Sequence, residues 1–254
     1  MRPEEVRGRQ GKQPDGSAKS REVKLGCVFT QTEVDAKGHP IRDPQSTTYL
    51  SSCVSRDEFG GLMRREAIRR GMAGAPRVAV LSDGARCNWE AARVNFPSAL
   101  QILDFYHGTE HVGSLAAALD GKDRPAAKTQ LSRWKKRLLK DGVRDILTQA
   151  NARRPKSGAR RKAAQAEIAY LEFNRQRMEY GTFRKQGGFI GSGVMEAGCK
   201  SVVGQRCKLP GMHWSAAGVD NVLDLRGLRS SGVLWDRFWT HRQEQKRARL
   251  ATAA

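Results

Sequence analysis

RVAVLSDG, residues 77–84, decides the fold class of this chain. Residues 78–81 form an uninterrupted apolar run of the kind expected of a strand buried on both faces. That run stops abruptly at the Ser-Asp-Gly turn of residues 82–84. A second run, LQILDFYH at residues 100–107, predicts another strand that ends in polar groups, and the helix-like stretch 88–96 separates the two. The order strand, helix, strand indicates an α/β protein with helical crossovers.

Two more strands are predicted upstream, at residues 23–30 and 47–54, and they are expected to pair in an antiparallel arrangement. The spacing of Ser55 and Glu58 has the S-x-x-E form of a capping box, which predicts a helix over 56–70. The order ββαβαβ therefore predicts one mixed sheet.

Downstream of the sheet, the pattern predicts helices from Thr109 to Glu179. Leu131, Trp134 and Leu138 share one helical face. The cation run at 151–165 has no acid until Glu167 and is interpreted as a basic linker or loop.

The C-terminal region opens on the glycine-rich stretch 186–193. Helices are predicted at 194–206 and at 215–228, and an aromatic, basic tail follows them. The expected organisation is a polar lead-in at 1–20, a sheet portion at 21–112, a basic helical insertion at 113–186 and C-terminal helices at 187–254.

The charge balance points to a polyanionic partner. The chain has 254 residues, with 46 Lys and Arg against 26 Asp and Glu, and its net charge is +20. Nucleic acid is the first candidate, because cations that neutralise phosphates release counterions. No apolar run reaches the 18 residues of a membrane span, and no secretory leader is recognisable. The five cysteines form no CxxC pair, which argues against a disulfide framework or a zinc knuckle and fits a reducing cytoplasm.

Two carboxylates stand out from the pattern. Asp83 follows a predicted strand, and the carboxyl ends of strands in open α/β sheets collect ligands and catalytic groups. The competing explanation is a helix cap or an Asx turn. Glu196 lies one turn into a predicted helix among small residues that leave space for close approach. Its competing explanation is a first-turn glutamate stabilised by the helix dipole.

Histidines cluster after the second core strand. Asp104 and His107 come at its predicted end, and His111 follows four residues later. An i, i+4 histidine pair can bind zinc, although the sequence reads H-G-T-E-H and lacks the metalloprotease order H-E-x-x-H. A hydrogen-bonded core histidine is the alternative.

These segments resemble the DDE-type transposases of the bacterial insertion-sequence group ISKra. The three main blocks are SDGA at 82–85, ILDFYHGTEHV at 102–112 and GSGVMEAGCKSVVGQRCKLPGMHW at 191–214, with supporting stretches at 11–32, 38–49 and 66–71. The resemblance covers almost the whole chain, and its blocks occur in the order of the family. It implies a ribonuclease-H-like sheet with an all-α insertion, in an enzyme that cuts and joins DNA.

The resemblance also implies the site. Asp83 corresponds to the second catalytic aspartate and Glu196 to the closing glutamate, and both would bind metal. Asp104 and His107 resemble a C/D-x-x-H signature and would support the site. Carboxylates are the hard oxygen ligands that Mg²⁺ or Mn²⁺ prefers, and two such ions stabilise the entering and leaving oxygens of in-line phosphoryl transfer.

One departure from the family concerns its first aspartate, which precedes a stretch resembling residues 2–9 of this chain. The expectation is a shortened copy that lacks the opening strand and its carboxylate. Asp15, Asp35 and Asp43 are conceivable substitutes, but each lies in turn-like sequence. A catalytically inactive DNA-binding remnant is therefore the alternative to an active transposase. An RNA-binding module is a third hypothesis, which no motif supports.

DNA contacts are expected at basic clusters, since such clusters bind phosphate without reading sequence. The expected DNA-binding residues are Lys128, Arg133, Lys135, Lys136, Arg137, Lys140, Arg153, Arg154, Arg160, Arg161, Lys162, Lys200 and Arg206. Trp235 and Trp239 could stack on bases, but packing of their helix on the core is the preferred explanation. Joining two DNA ends makes a homo-oligomer plausible, and a bacterial cytoplasmic location is expected.

Overall fold

The chain is a mixed α/β protein in a computed structural model that describes residues 22–208 and 214–252. The lead-in expected at 1–20 lies outside the described residues. The strands are β1 (Lys24–Val28), β2 (Glu33–Val34), β3 (Pro40–Ile41), β4 (Thr48–Ser52), β5 (Ala79–Ser82) and β6 (Leu100–Leu103). The helices are α1 (Arg56–Arg69), α2 (Arg86–Asn95), α3 (Phe105–Asp120), α4 (Pro125–Leu138), α5 (Val143–Arg153), α6 (Gly158–Asn174), α7 (Tyr180–Lys185), α8 (Gly193–Gly198), α9 (Ala216–Arg229) and α10 (Val233–Thr252).

The described residues divide into two compact units. Unit 1 contains residues 22–32, 42–74 and those from 193 onward, and unit 2 contains 33–41 and 75–192. Within the described ranges the strands pair two by two rather than in one mixed sheet: β1 with β4 and β2 with β3 are antiparallel, and β5 with β6 is parallel.

Unit 1 confirms the predicted antiparallel pair and the predicted capping box. Lys24 of β1 lies opposite Ser52 of β4, as expected for the upstream strands. The Ser55 hydroxyl accepts a hydrogen bond from the Glu58 amide, and the Glu58 carboxylate accepts one from the Ser55 amide. Both orphan amides at the start of α1 are thereby satisfied.

Unit 2 contains the parallel pair on which the α/β prediction rested, with two corrections. The prediction of a strand buried on both faces was wrong for β5, because Ala79 is exposed and the other three residues are only half-buried. The strand predicted over 100–107 ends at Leu103, because Asp104 caps a helix that begins at Phe105. The helix between these two strands, α2, matches the predicted stretch 88–96.

The helices of unit 2 enclose its core. Trp134 and Leu138 are buried and Leu131 is half-buried, so the predicted apolar face of α4 is confirmed. The interpretation of 151–165 as a linker was wrong over most of its length. Only a short connection around Pro155 separates α5 from α6. Arg, Lys, Ala and Gln are good helix formers, which explains why the cation run is helical.

The C-terminal part of unit 1 is helical, as predicted. The Ser215 hydroxyl accepts a hydrogen bond from the Gly218 amide and caps α9. The helix predicted at 194–206 begins as α8, continues as a π-helical segment over Cys199–Gly204 and ends in the turn Gln205–Cys207.

Candidate functional site

Asp83 lies directly after β5, at the carboxyl end of the parallel pair, and is exposed. Its Oδ1 atom accepts hydrogen bonds from the Ala85 amide at 3.0 Å and from the Asn88 side-chain amide at 2.9 Å. The bond to the residue two positions on is an Asx turn. The alternative explanation, an Asx turn, is therefore confirmed, and the carboxylate in this turn is exposed at a strand end.

Tyr170 of α6 fastens this turn from the other side. Its hydroxyl donates a hydrogen bond to the Asp83 carbonyl at 2.7 Å. Gly84 has φ +86°, and a Cβ atom there would lie 2.2 Å from the Tyr170 hydroxyl oxygen. Burial raises the pKa of Tyr170, and the negative charges of Asp83, Glu167 and Asp104 raise it further, so the hydroxyl stays a donor.

Asp104 is buried and joins two segments of unit 2. Its Oδ1 atom accepts a hydrogen bond from the His107 amide at 2.8 Å, which makes it the N-cap of α3. Its Oδ2 atom accepts one from the Ser192 amide at 2.5 Å, and the Phe105 amide donates to the Ile190 carbonyl at 2.8 Å. Asp104 therefore anchors the glycine-rich loop.

Two histidines and two glutamates lie in the same region of unit 2. His107 Nδ1 is 3.4 Å from Glu110 Oε2, and His111 Nδ1 is 2.7 Å from Glu167 Oε2. The His111 ring stacks on Tyr170 at a centroid distance of 3.5 Å. Neither histidine is a core residue: 44% of the His107 side chain and 29% of the His111 side chain are exposed.

Glu196 belongs to unit 1, where it is exposed in the first turn of α8. The Tyr49 hydroxyl donates to the Val194 carbonyl at 2.8 Å, and the Tyr49 ring lies against Gly198. A Cβ atom at Gly198 would come within 2.4 Å of that ring. The small residue therefore lets the Glu196 helix lie close to β4, as the sequence indicated.

Arg226 of α9 stabilises the π-helical segment that follows Glu196. Its guanidinium donates hydrogen bonds to the carbonyls of Ser201 and Val202 and to the side chain of Gln205. A π-helical turn displaces backbone carbonyls from the regular ladder, and π-bulges are frequent at functional sites. Neither the segment nor its arginine partner was foreseen from the sequence.

The thirteen expected DNA-binding residues are all exposed, but they differ in their contacts. Four are engaged within the fold: Arg137 pairs with Asp145, Arg153 with Asp120, and Arg160 and Arg161 donate to backbone carbonyls. Three others are Arg133 and Lys136, on the side of α4 away from Trp134, and Lys140, in the turn that follows this helix. We call these three residues the basic stripe.

The remaining expected contacts are spread over both units. Lys135 reaches across the Phe105 ring at 5.8 Å, and the others are Lys128, Arg154, Lys162, Lys200 and Arg206. In the tail helix α10, Trp239 is 45% exposed and packs edge-on against Trp235 and Phe238. Trp235 is half-buried, and the packing of both tryptophans on the core stays a prediction.

Two of the conceivable substitutes for the first aspartate, Asp35 and Asp43, form hydrogen bonds with nearby residues. Asp35 accepts hydrogen bonds from the amides of Lys37 and His39, and Asp43 accepts them from the amide and hydroxyl of Thr32. Hydrogen bonding lowers the pKa of both carboxyls, with the His39 amide contributing most for Asp35 and the side chains of Thr30 and then Thr32 for Asp43. Asp15 lies outside the described residues.

Among residues 22–208 and 214–252, no three His, Cys, Asp or Glu side chains gather closely enough to hold a metal ion. The exposed carboxylate of Asp83 has the donor chemistry that Mg²⁺ prefers.

Over the same ranges, no helix combines the length and apolarity that a bilayer crossing demands. No family model, curated protein or solved structure matches the chain.

Sequence reasoning missed Asn88, Glu167, Tyr170 and Arg226. Asn88 follows Asp83 by five residues, a spacing that a turn-then-helix pattern could have suggested. Tyr170 offered no such signal, because its partner is 87 residues away along the chain.

Proposed function

We propose that this chain is a DDE-type transposase of a bacterial insertion sequence, similar to the ISKra group, or a shortened copy of one. The observation that carries the proposal is the exposed Asp83 carboxylate, held at the carboxyl end of the β5–β6 pair by an Asx turn and by Tyr170. A parallel pair with a carboxylate at its end is compatible with part of a ribonuclease-H-like sheet. The protein would act on DNA in the bacterial cytoplasm, with a homo-oligomer as the expected assembly.

In this proposal Asp83 and Glu196 are the carboxylates that bind Mg²⁺ or Mn²⁺. Such ions would supply charge stabilisation for the oxygens that enter and leave phosphorus. Asn88 and the Ala85 amide fix the orientation of the Asp83 carboxylate. Asp104, which anchors the glycine-rich loop, and the half-buried His107 are the supporting residues in this proposal.

DNA is the proposed partner because of the net charge of +20 and the basic stripe. Arg133 and Lys136 place positive charge along one side of α4, and Lys140 adds to it in the following turn. The α4 residues Thr129 and Ser132, on the same side, are uncharged. Phosphate contacts of this kind orient a duplex without reading its bases.

The first test is cleavage. Supercoiled plasmid is incubated with the protein and Mg²⁺ or Mn²⁺, and the formation of open circles is measured. We expect Asp83→Asn and Glu196→Gln each to lower the nicking rate at least about 100-fold, because each removes one carboxylate ligand. Asp57→Asn and Asp236→Asn, which change exposed acids elsewhere, should nick at the wild-type rate.

The outcomes separate the candidates. Unchanged nicking by Asp83→Asn and Glu196→Gln would show that the two residues are not the site. Salt-dependent DNA binding without nicking, even in Mn²⁺, would select the inactive DNA-binding remnant. Stronger binding to structured RNA than to duplex DNA would reject both.

The second test is the salt dependence of DNA binding. The triple variant Arg133→Gln, Lys136→Gln, Lys140→Gln should reduce the slope of log K against log[salt] by about 2.7, because each lost phosphate contact accounts for about 0.9. The matched control is Arg93→Gln, Lys122→Gln, Lys185→Gln, which removes the same charge from exposed positions of unit 2. Equal slopes for the two variants would exclude the basic stripe as the DNA contact.

A further inference from the structure

His107 and His111 form a pair of neighbours on one face of α3. They are four residues apart, so their side chains project from successive turns of the same helix. Their ring centroids are 5.9 Å apart, and the rings meet at an interplanar angle of 70°. Both side chains are reached by solvent.

A carboxylate lies near the Nδ1 atom of each imidazole, within hydrogen-bond distance for His111 and within ion-pair distance for His107. Glu167 of α6 lies 2.7 Å from His111 Nδ1, and Glu110 lies 3.4 Å from His107 Nδ1. The Tyr170 ring stacks on the His111 ring and so limits its rotation. Within the described residues, neither Nε2 atom has a hydrogen-bond or ion-pair partner. Each imidazole thus keeps its Nε2 atom for a further ligand, on a side chain that solvent reaches.

A carboxylate on one ring nitrogen is the arrangement found behind histidines that bind metals. It fixes the tautomer, turns the other nitrogen outward and raises its basicity. Imidazole nitrogen suits Zn²⁺, Cu²⁺ and Ni²⁺, whereas Mg²⁺ prefers oxygen. The pair therefore differs in chemistry from the carboxylates of the proposed catalytic site.

The spacing of the rings fits a shared ion. A Zn–N bond of about 2.1 Å puts the ion roughly 3.2 Å from each ring centroid, and a tetrahedral angle then separates the centroids by about 5.2 Å. The observed 5.9 Å exceeds this value by less than 1 Å. The centroid distance is thus compatible with a shared ion once the half-buried His107 side chain rotates.

We propose that His107 and His111 chelate a first-row transition-metal ion of the Zn²⁺ class through their Nε2 atoms. Two protein nitrogens leave the remaining coordination positions to water or to an oxygen of an external ligand such as a phosphate. Glu167 and Glu110 are positioning residues for the two imidazoles. This site stands independently of the proposed transposase activity.

The test is titration of the full chain, freed of metal and with its thiols alkylated, with Zn²⁺ in a calorimeter and with Co²⁺ in a spectrophotometer. We expect one ion per chain at this site. His107→Gln and His111→Phe should each weaken binding at least about tenfold, since chelation needs both nitrogens. His111→Phe keeps a ring on Tyr170 and so preserves the packing. Glu167→Gln should weaken binding by roughly 10- to 100-fold and shift the Co²⁺ spectrum.

His241→Gln is the matched control. His241 also has a glutamate three residues on, Glu244, but the fourth position holds Gln245 instead of a second histidine. This variant should bind Zn²⁺ as the wild type does. Wild-type affinity in His107→Gln and His111→Phe, with far-ultraviolet circular dichroism unchanged, would overturn the proposal. A protein that fails to nick DNA but binds Zn²⁺ through this pair would leave the inference intact and reject only an active transposase.

Discussion

Gly84→Ala is expected to destabilise unit 2 by about 3 kcal/mol or more, the sum of a backbone and a steric effect. The left-handed backbone at φ +86° costs a non-glycine residue about 1–2 kcal/mol. The added Cβ atom would also lie 2.2 Å from the Tyr170 hydroxyl oxygen and 2.6 Å from Leu103 Cδ1. Displacing Tyr170 breaks its hydrogen bond to the Asp83 carbonyl, which adds about 1–3 kcal/mol.

Gly38→Ala separates the two contributions. Gly38 also belongs to unit 2 and has φ +77°, but nothing lies within 4 Å of the Cβ position. Its substitution should therefore cost only about 1–2 kcal/mol. Hydrogen–deuterium exchange of peptides from β5 and α6 measures the effect of Gly84→Ala, and exchange over β2 and β3 measures that of Gly38→Ala. Wild-type protection of β5 and α6 in Gly84→Ala would show that Tyr170 does not enclose Gly84.

Trp134→Ala should lower the free energy of unfolding of unit 2 by about 3–5 kcal/mol, the usual cost of removing a large buried aromatic side chain. Trp134 is 2% exposed in the core between the helices of unit 2. Its indole N–H donates a hydrogen bond to Gln149 Oε1 at 2.9 Å, so the truncation also leaves an amide oxygen without that donor. Hydrogen exchange over α4 and α5 reports the loss locally.

Two comparisons make the Trp134 result specific. Trp134→Phe retains most of the apolar volume and loses the N–H, and should cost about 1–2 kcal/mol. Trp239→Ala removes a side chain that is 45% exposed, so we expect at most about 1 kcal/mol, from its aromatic contacts. A cost for Trp239→Ala as large as that for Trp134→Ala would contradict the assignment of the core.

Local signals in the sequence predicted local structure well. The S-x-x-E spacing of Ser55 and Glu58 specified the start of α1, since both partners of a capping box lie within one turn. The apolar spacing on α4 likewise specified which side of that helix is buried. Such features depend on residues at most a few positions apart.

The errors arose where one residue type serves two structures. Asp104 after an apolar run predicts a strand end, although its side chain starts α3 by accepting a hydrogen bond from the His107 amide. The cations of 151–165 suggested a solvated linker, although long unbranched side chains favour a helix. How far β5 is buried depends on the elements that pack against it, and the apolar run does not specify those elements.

By itself, the sequence determined the α/β class, the capped helices, the position of Asp83 after a strand and the excess of positive charge. Only the tertiary structure decided that Tyr170 contacts Asp83 and that Glu167 contacts His111. The same holds for Arg226 and the π-helical segment that it stabilises. The physical reason is the range of the interactions. Capping and amphipathic spacing act within a few residues, whereas ring stacking and side-chain bonds to distant carbonyls need the chain to be folded.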